Sequence, residues 1–258
     1  MKNSKYLAIL VLLIFAVSAF GQKDKPYQKW GKEDALKLLN DSAWSKPYQS
    51  NVGQANAAAG QIRREQGQTS SSGGSDPRSV ARDFGPPPVT LRLHSALPIR
   101  QAIVRLQQID LGYDKMSEAD KAAFDKSKEG FLKCAICTDY YVVTLTKAVD
   151  ASKSTVEEGV FQGMTLAELK GNIKLVNEKG EERELVEFNA PKGPRDQTVF
   201  YFKRTNEAGV PLFTADSKEV KFVFSPTFLE AKNRFAYLLP RTFEFKASKM
   251  VVDNVLIF

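Results

Sequence analysis

The chain has two cysteines, Cys134 and Cys137, and their CxxC spacing is the first place to look for chemistry. Such a pair can close a disulfide, exchange it with other thiols, or supply half of a zinc site. A zinc site needs two further ligands. The sequence offers neither a second CxxC nor a histidine pair, because His94 is its sole histidine. Covalent haem requires a histidine directly after the second cysteine, and Thr138 stands there. A thioredoxin-type pair follows a strand and opens a helix, whose dipole lowers a thiol pKa. Here the order is reversed: a helical pattern precedes the cysteines and the strand-like run from Tyr140 to Leu145 follows them. A structural disulfide between Cys134 and Cys137 is therefore expected, with a buried reduced pair as its competitor. Closing so short a loop stabilises by only about 2 kcal/mol in the chain-entropy model. It would act as a local clasp where helix gives way to sheet.

His94 lies between strand and helix signals, with no nucleophile elbow beside it. Its neighbour Ser95 reads as a helix cap rather than as half of a dyad. Calcium-loop spacing, a glycine-rich phosphate loop and a paired-carboxylate motif do not occur. No residue is assigned a catalytic, cofactor or metal role, and the reading leans away from an enzyme. Two rivals stay open: an enzyme whose site carries no recognisable motif, and a thiol–disulfide redox protein using Cys134 and Cys137.

The elements that must position these residues follow from periodicity. Val89, Leu91 and Leu93 alternate with Thr90, Arg92 and His94, as in a half-buried strand. Pro98 suits the first turn of a helix whose Ile99, Ala102, Ile103 and Leu106 form one apolar stripe, with Arg100 and Arg105 away from it. That helix ends by Gly112. A second begins at Asp114 or Ser117, carries Ala119, Ala122, Ala123 and Phe124, and ends near Gly130. Beyond the cysteines β signals dominate. Segments 173–176 and 185–188 flank a polar turn and read as a hairpin. Segments 199–202 and 210–213 form another hairpin or a longer loop, 164–169 gives a helical turn, and 227–237 is ambiguous. Segments 218–224, 241–246 and 251–258 complete the strands. The expected fold is α+β and β-rich, an antiparallel sheet or sandwich with two early helices. Phe258, Leu256 and Val252 alternate as in the last strand of an outer-membrane barrel, but the helical segments and short strands argue against one.

The start of the chain reads as an export signal over residues 1–21: Lys2 and Lys5, an apolar run from Tyr6, then small residues with cleavage after Ala19 or Gly21. The apolar run is short of the roughly 20 residues that span a bilayer, so no transmembrane anchor is expected after cleavage. The mature protein is expected to be periplasmic or secreted. Residues 22–48 form an arm holding both tryptophans. Glu33 to Asn40 suits a short helix with Asn40 as a left-handed cap. The arm either packs on the main domain or docks on a protein or envelope partner through Trp30, Leu36, Leu39 and Trp44.

With its Leu-Leu-Asn-Asp-Ser-Ala-Trp core, the Trp30 to Trp44 stretch resembles the opening motif of a family of exported bacterial proteins of similar length. The family carries a low-complexity segment next and then a helix, which Ser95 to Ala102 matches. That resemblance covers about a fifth of the chain and implies no activity or functional residues.

Residues 49–88 are dominated by Gln, Asn, Ala, Gly, Ser and Pro, with almost nothing to bury, and read as a flexible linker that separates the arm from a folded domain over residues 89–258. The net charge of +7 does not indicate nucleic acid. From Pro88 onward 25 basic residues face 23 acidic ones with the signs interspersed, whereas neutralising phosphates needs clustered cations. The function class is reached by elimination: an exported, non-catalytic protein, an interaction or structural module of the cell envelope or extracellular space, of unassigned oligomeric state.

Overall fold

The computed structural model describes residues 25–49, 89–147, 160–193, 196–230, 235–252 and 255–258. The expected signal segment and most of the expected linker lie outside the described residues.

The fold is α+β, built on one antiparallel sheet of eight strands. The strands are β1 (Ser45–Tyr48), β2 (Val89–Leu93), β3 (Tyr140–Lys147), β4 (Ile173–Asn177), β5 (Glu182–Asn189), β6 (Thr198–Lys203), β7 (Glu219–Phe224) and β8 (Thr242–Lys246). Their order across the sheet is β1-β2-β3-β6-β5-β4-β7-β8, and every pairing is antiparallel. The sheet curls until its edges nearly meet. Tyr48 of β1 and Phe243 of β8 stand edge-to-face with ring centroids 6.2 Å apart. A register shift between Leu185 and Glu187 bends β5, as a bulge does.

Alternation along the strands explains the curl. One face presents Leu91, Leu93, Val143, Leu145, Ile173, Leu175, Leu185, Phe200, Phe202, Phe222, Phe224 and Phe245, each fully buried. Period-2 side chains on strands that wrap round one another all point into a common interior. Aromatic rings fill it. Phe161 packs 5.4 Å from Phe200 and 5.9 Å from Phe228, and Phe200 lies 5.2 Å from Phe222. Edge-to-face and offset contacts of this kind add to the area they bury.

Five α-helices accompany the sheet among the described residues: α1 (Lys32–Asn40), α2 (Leu97–Asp110), α3 (Glu118–Lys133), α4 (Leu166–Leu169) and α5 (Pro226–Leu229). Within the expected strand 251–258, β9 (Val251–Val252) pairs antiparallel with β10 (Val255–Leu256), and 253–254 lie outside the described residues. Pro98 sits in the first turn of α2, as expected, but the cap is Ala96. Ser95 instead bonds across to β3: its hydroxyl accepts from the Val142 N–H at 3.0 Å and donates to the Val142 carbonyl at 3.3 Å. Asn40 is not a left-handed cap, because α1 closes on Asp41 in extended backbone. The alanine stripe expected to bury α3 does not do so. Ala119, Ala122 and Ala123 are exposed, and α3 has no buried residue. Three methyl groups bury too little area to hold a helix face inward.

Residues 198–203 form β6, but 210–213 form no strand. The chain returns through a loop with one bridge between Thr205 and Pro211, while Leu212 and Phe213 tuck into the core. Of the ambiguous stretch 227–237, the described residues form α5 and a 3-10 turn at Phe235–Leu238, and 231–234 lie outside the described residues.

The arm belongs to the sheet. β1 pairs with β2 from Ser45↔Arg92 to Tyr48↔Val89, and the Leu93 N–H extends the ladder to the Trp44 carbonyl at 2.9 Å. Trp30, Ala35, Leu38 and Leu39 join the same core as the strands.

Candidate functional site: the Cys134–Cys137 clasp

Helix α3 carries the chain to Lys133, three residues beyond the Gly130 stop expected from composition. Gly130 accepts the capping bond instead, its carbonyl taking the Cys134 N–H at 2.9 Å. Cys134 is the helix C-cap at φ 49°, and it is the one non-glycine residue with positive φ among the described residues. An L-residue other than Asn or Asp adopts this region at a cost of about 1 kcal/mol or more. A 3-10 turn, Ala135–Thr138, then leads into β3. The disulfide between Cys134 and Cys137 spans that turn with Cα atoms 5.3 Å apart. The expected bond is present and sits at the handover from helix to sheet.

The two sulfurs have different surroundings. Cys134 is half-buried, whereas Cys137 is 7% exposed. Arg100, one turn into α2, reaches under the clasp. Its Nη1 donates to the His94 carbonyl at 3.0 Å and the Ser95 carbonyl at 2.5 Å, and lies 3.7 Å from Cys137 Sγ. Its Nε donates to the Leu132 carbonyl at 3.1 Å. Arg204, just past β6, donates from Nε to the Cys137 carbonyl at 2.6 Å and from Nη2 to the main-chain oxygen of Phe258. Its guanidinium lies 4.6 Å from the centroid of the Tyr141 ring, a cation–π arrangement. The Tyr141 ring also packs against Phe258 at 4.7 Å and Phe213 at 5.2 Å. Two guanidiniums therefore grip the clasp through backbone carbonyls, one from the helical side and one from the sheet.

The electrostatics follow from that crowding. Burial, reinforced by the charge of Arg204, pulls Arg100 down to about 10, so it keeps its proton at neutral pH. Burial lowers Arg204 as well, and Tyr141 beside it partly offsets this. His94 is pushed down to about 4 by burial first, then by Arg100 and Arg92. Its Nδ1 is buried without a hydrogen-bond partner, and its ring stands edge-on to Phe131 at 5.6 Å. A neutral imidazole in that setting fills space and stabilises through ring packing rather than charge.

Three segments that meet at the clasp each expose one large apolar side chain, and these make up its rim. Leu97 opens α2 one turn before Arg100, Phe131 lies in the last turn of α3, and Ile136 lies between the cysteines. These three are 40%, 36% and 42% exposed.

The arm residues lie elsewhere. Trp30 and Leu39 are 6% and 2% exposed within the core, while Leu36 and Trp44 are half-buried. The Trp30 indole N–H donates to the Lys25 carbonyl at 3.0 Å and that of Trp44 to the Ile257 carbonyl at 2.7 Å. Arg92 donates to the Leu39 carbonyl at 2.6 Å, and Arg105 to the Trp30 carbonyl at 2.7 Å. Arg100 and Arg105, read from the sequence as lying away from the packed stripe, are each 5% exposed. Nothing in the residue types signals this, because their acceptors are mostly main-chain carbonyls brought in from distant segments.

A polar surface groove of about 530 Å³ lies between the arm and α2–α3, lined by Lys29, Arg105, Asp114 and Lys121 among others. Four of its charges pair with one another: Arg105 with Asp114 at 3.1 Å, and Lys121 with Glu118 at 2.8 Å. Among the described residues no helix is long and apolar enough to cross a membrane, and no cluster of three His, Cys, Asp or Glu is placed to hold a metal ion. No protein-family model matches the chain, and neither a curated protein nor a solved structure matches it.

Proposed function

We propose that the protein is an exported, non-catalytic interaction module of the cell envelope or extracellular space, and that it binds a protein partner through the rim of the clasp. The observation that carries this reading is the exposure of Leu97, Phe131 and Ile136 on three segments held together by Arg100 and the disulfide. Large apolar side chains gathered on a rigid framework are what protein partners bury. The interior of the sheet is packed with phenylalanines, which directs binding to the outside. Trp30 and Leu39 already lie within the core, so the rim takes the role that exposed arm residues would have filled.

Export is supported by the leader pattern of residues 1–21 and fits a disulfide, which an oxidising compartment preserves. The resemblance of the Trp30 to Trp44 stretch to exported bacterial proteins points the same way.

The test compares the mature chain with a Leu97→Ser/Phe131→Ser variant for saturable binding to proteins of the native envelope fraction. Binding at least tenfold weaker in the variant, with the fold unchanged by circular dichroism, supports the rim. Equal binding by both proteins overturns it.

A further inference from the structure

We propose that the clasp is a polarised thiol–disulfide exchange site, in which Cys134 is the sulfur attacked by a partner's thiolate and Cys137 is the leaving sulfur, received by Arg100. The proposed partner is a protein carrying a reduced dithiol. The proposal rests on the reading above for its docking rim alone; the polarity of the bond stands on the clasp itself.

Three observations carry it. The cysteines are unequal in exposure, with Cys134 half-buried at the helix end and Cys137 only 7% exposed. The cation is aimed at one of them: Arg100 Nη1 is 3.7 Å from Cys137 Sγ. Its other bonds go to the carbonyls of His94, Ser95 and Leu132, so no carboxylate among these partners cancels its charge. Arg204, bonded to the Cys137 carbonyl, adds a second positive charge on the same side. Exchange is faster when the departing sulfur is the better-stabilised thiolate, and a neighbouring guanidinium stabilises a thiolate. Finally, Leu97, Phe131 and Ile136 are exposed on the three segments that meet at the clasp. The left-handed backbone of Cys134 places strain at the residue whose bond is exchanged.

One partner thiolate attacks Cys134 Sγ, the bond from Cys134 to Cys137 breaks, and its electron pair leaves on Cys137 Sγ beside Arg100. The partner's second thiolate then attacks its own sulfur in the mixed disulfide and releases Cys134. The partner is oxidised to a disulfide, the clasp is reduced to two thiols, and the two protons given up by the partner dithiol return to the two cysteines.

The test uses the full mature chain. In a glutathione redox buffer at pH 7, peptide mapping is expected to find the glutathione adduct on Cys134 in at least tenfold excess over Cys137. Equal labelling, or an excess on Cys137, overturns the polarity. Reduction by dithiothreitol is expected to be about tenfold slower in Arg100→Gln and near the wild-type rate in Arg100→Lys. The lysine variant keeps the charge should glutamine loosen the fold. Equal rates in folded Arg100→Gln and the wild type overturn the role of Arg100. With reduced thioredoxin as the protein dithiol, Leu97→Ser/Phe131→Ser is expected to lower the ratio of the thioredoxin rate to the dithiothreitol rate at least tenfold. An unchanged ratio overturns the docking rim without touching the polarity, so failure of the interaction reading is distinguishable from failure of the exchange site.

Discussion

Leu39→Ala separates an arm that completes the fold from an arm that merely hangs beside it. Leu39 is 2% exposed and lies in one core with Leu93, Ile99 and the strands of the sheet. Removing a buried leucine side chain costs about 2–5 kcal/mol, because the transfer energy of the lost methyl groups adds to that of the cavity left behind. With the backbone of α1 pinned by Arg92 at the Leu39 carbonyl, the site can collapse only in part, and about 3 kcal/mol is expected. At a urea m-value of about 2 kcal/mol/M, that moves the unfolding midpoint down by about 1.5 M. Both tryptophans lie in residues 25–49, so their fluorescence reports the arm while far-UV circular dichroism reports the sheet. The two probes are expected to give coincident transitions in the wild type and to shift together in the variant. A shift below about 0.5 kcal/mol, the range of surface substitutions, would refute the reasoning. So would a fluorescence transition that moves while the circular dichroism transition stays in place.

Three further outcomes are expected. Limited proteolysis within residues 50–88 should leave the arm bound to the remainder through size-exclusion chromatography, since β1 and α1 are held by the β2 ladder and the shared core; separation in native buffer would count against this. Lowering the pH should cost stability through His94. Its folded pKa of about 4 lies below the ordinary 6.5, so its contribution is fully present above pH 6.5 and is lost as the pH falls towards 4. The size is about 3 kcal/mol at most. His94→Gln should flatten that part of the urea-midpoint profile between pH 7 and 4.5, and an identical profile in the variant would remove His94 as the cause. Reducing the disulfide should cost about 2 kcal/mol and leave the far-UV spectrum unchanged, because the clasp closes only a local turn; global unfolding on reduction would show that it holds more than that.

Much of the sheet is legible in the residues, and so is the place of the clasp. Ile173, Leu175 and Leu185 alternate cleanly around Gly180, which takes φ 79° in the turn, and the hairpin follows from local chemistry. Pro98 marks the start of α2, and the change from helical to strand patterning brackets Cys134 and Cys137.

What was hidden is non-local. β1 reads Ser-Lys-Pro-Tyr, with a proline that suits an edge strand and no alternation to announce it, and it pairs with β2 across residues 50–88. The near-closure of the sheet depends on the meeting of Tyr48 and Phe243, from opposite ends of the chain. Arginine types predict exposure. Arg92, Arg100 and Arg105 are buried because carbonyls of Leu39, His94, Ser95, Leu132 and Trp30 converge on them, and only the folded backbone brings those acceptors together. The α3 alanines mislead in the opposite direction, having the right period but too little surface to bury.

The most direct test of the account as a whole is the intact mass of the protein recovered from outside the cytoplasm, alkylated with and without prior reduction. The expected species is a chain lacking residues 1–19 or 1–21 that takes up no alkyl group until reductant is added and two afterwards. A chain retaining its leader, with both cysteines alkylated in the absence of reductant, would contradict it.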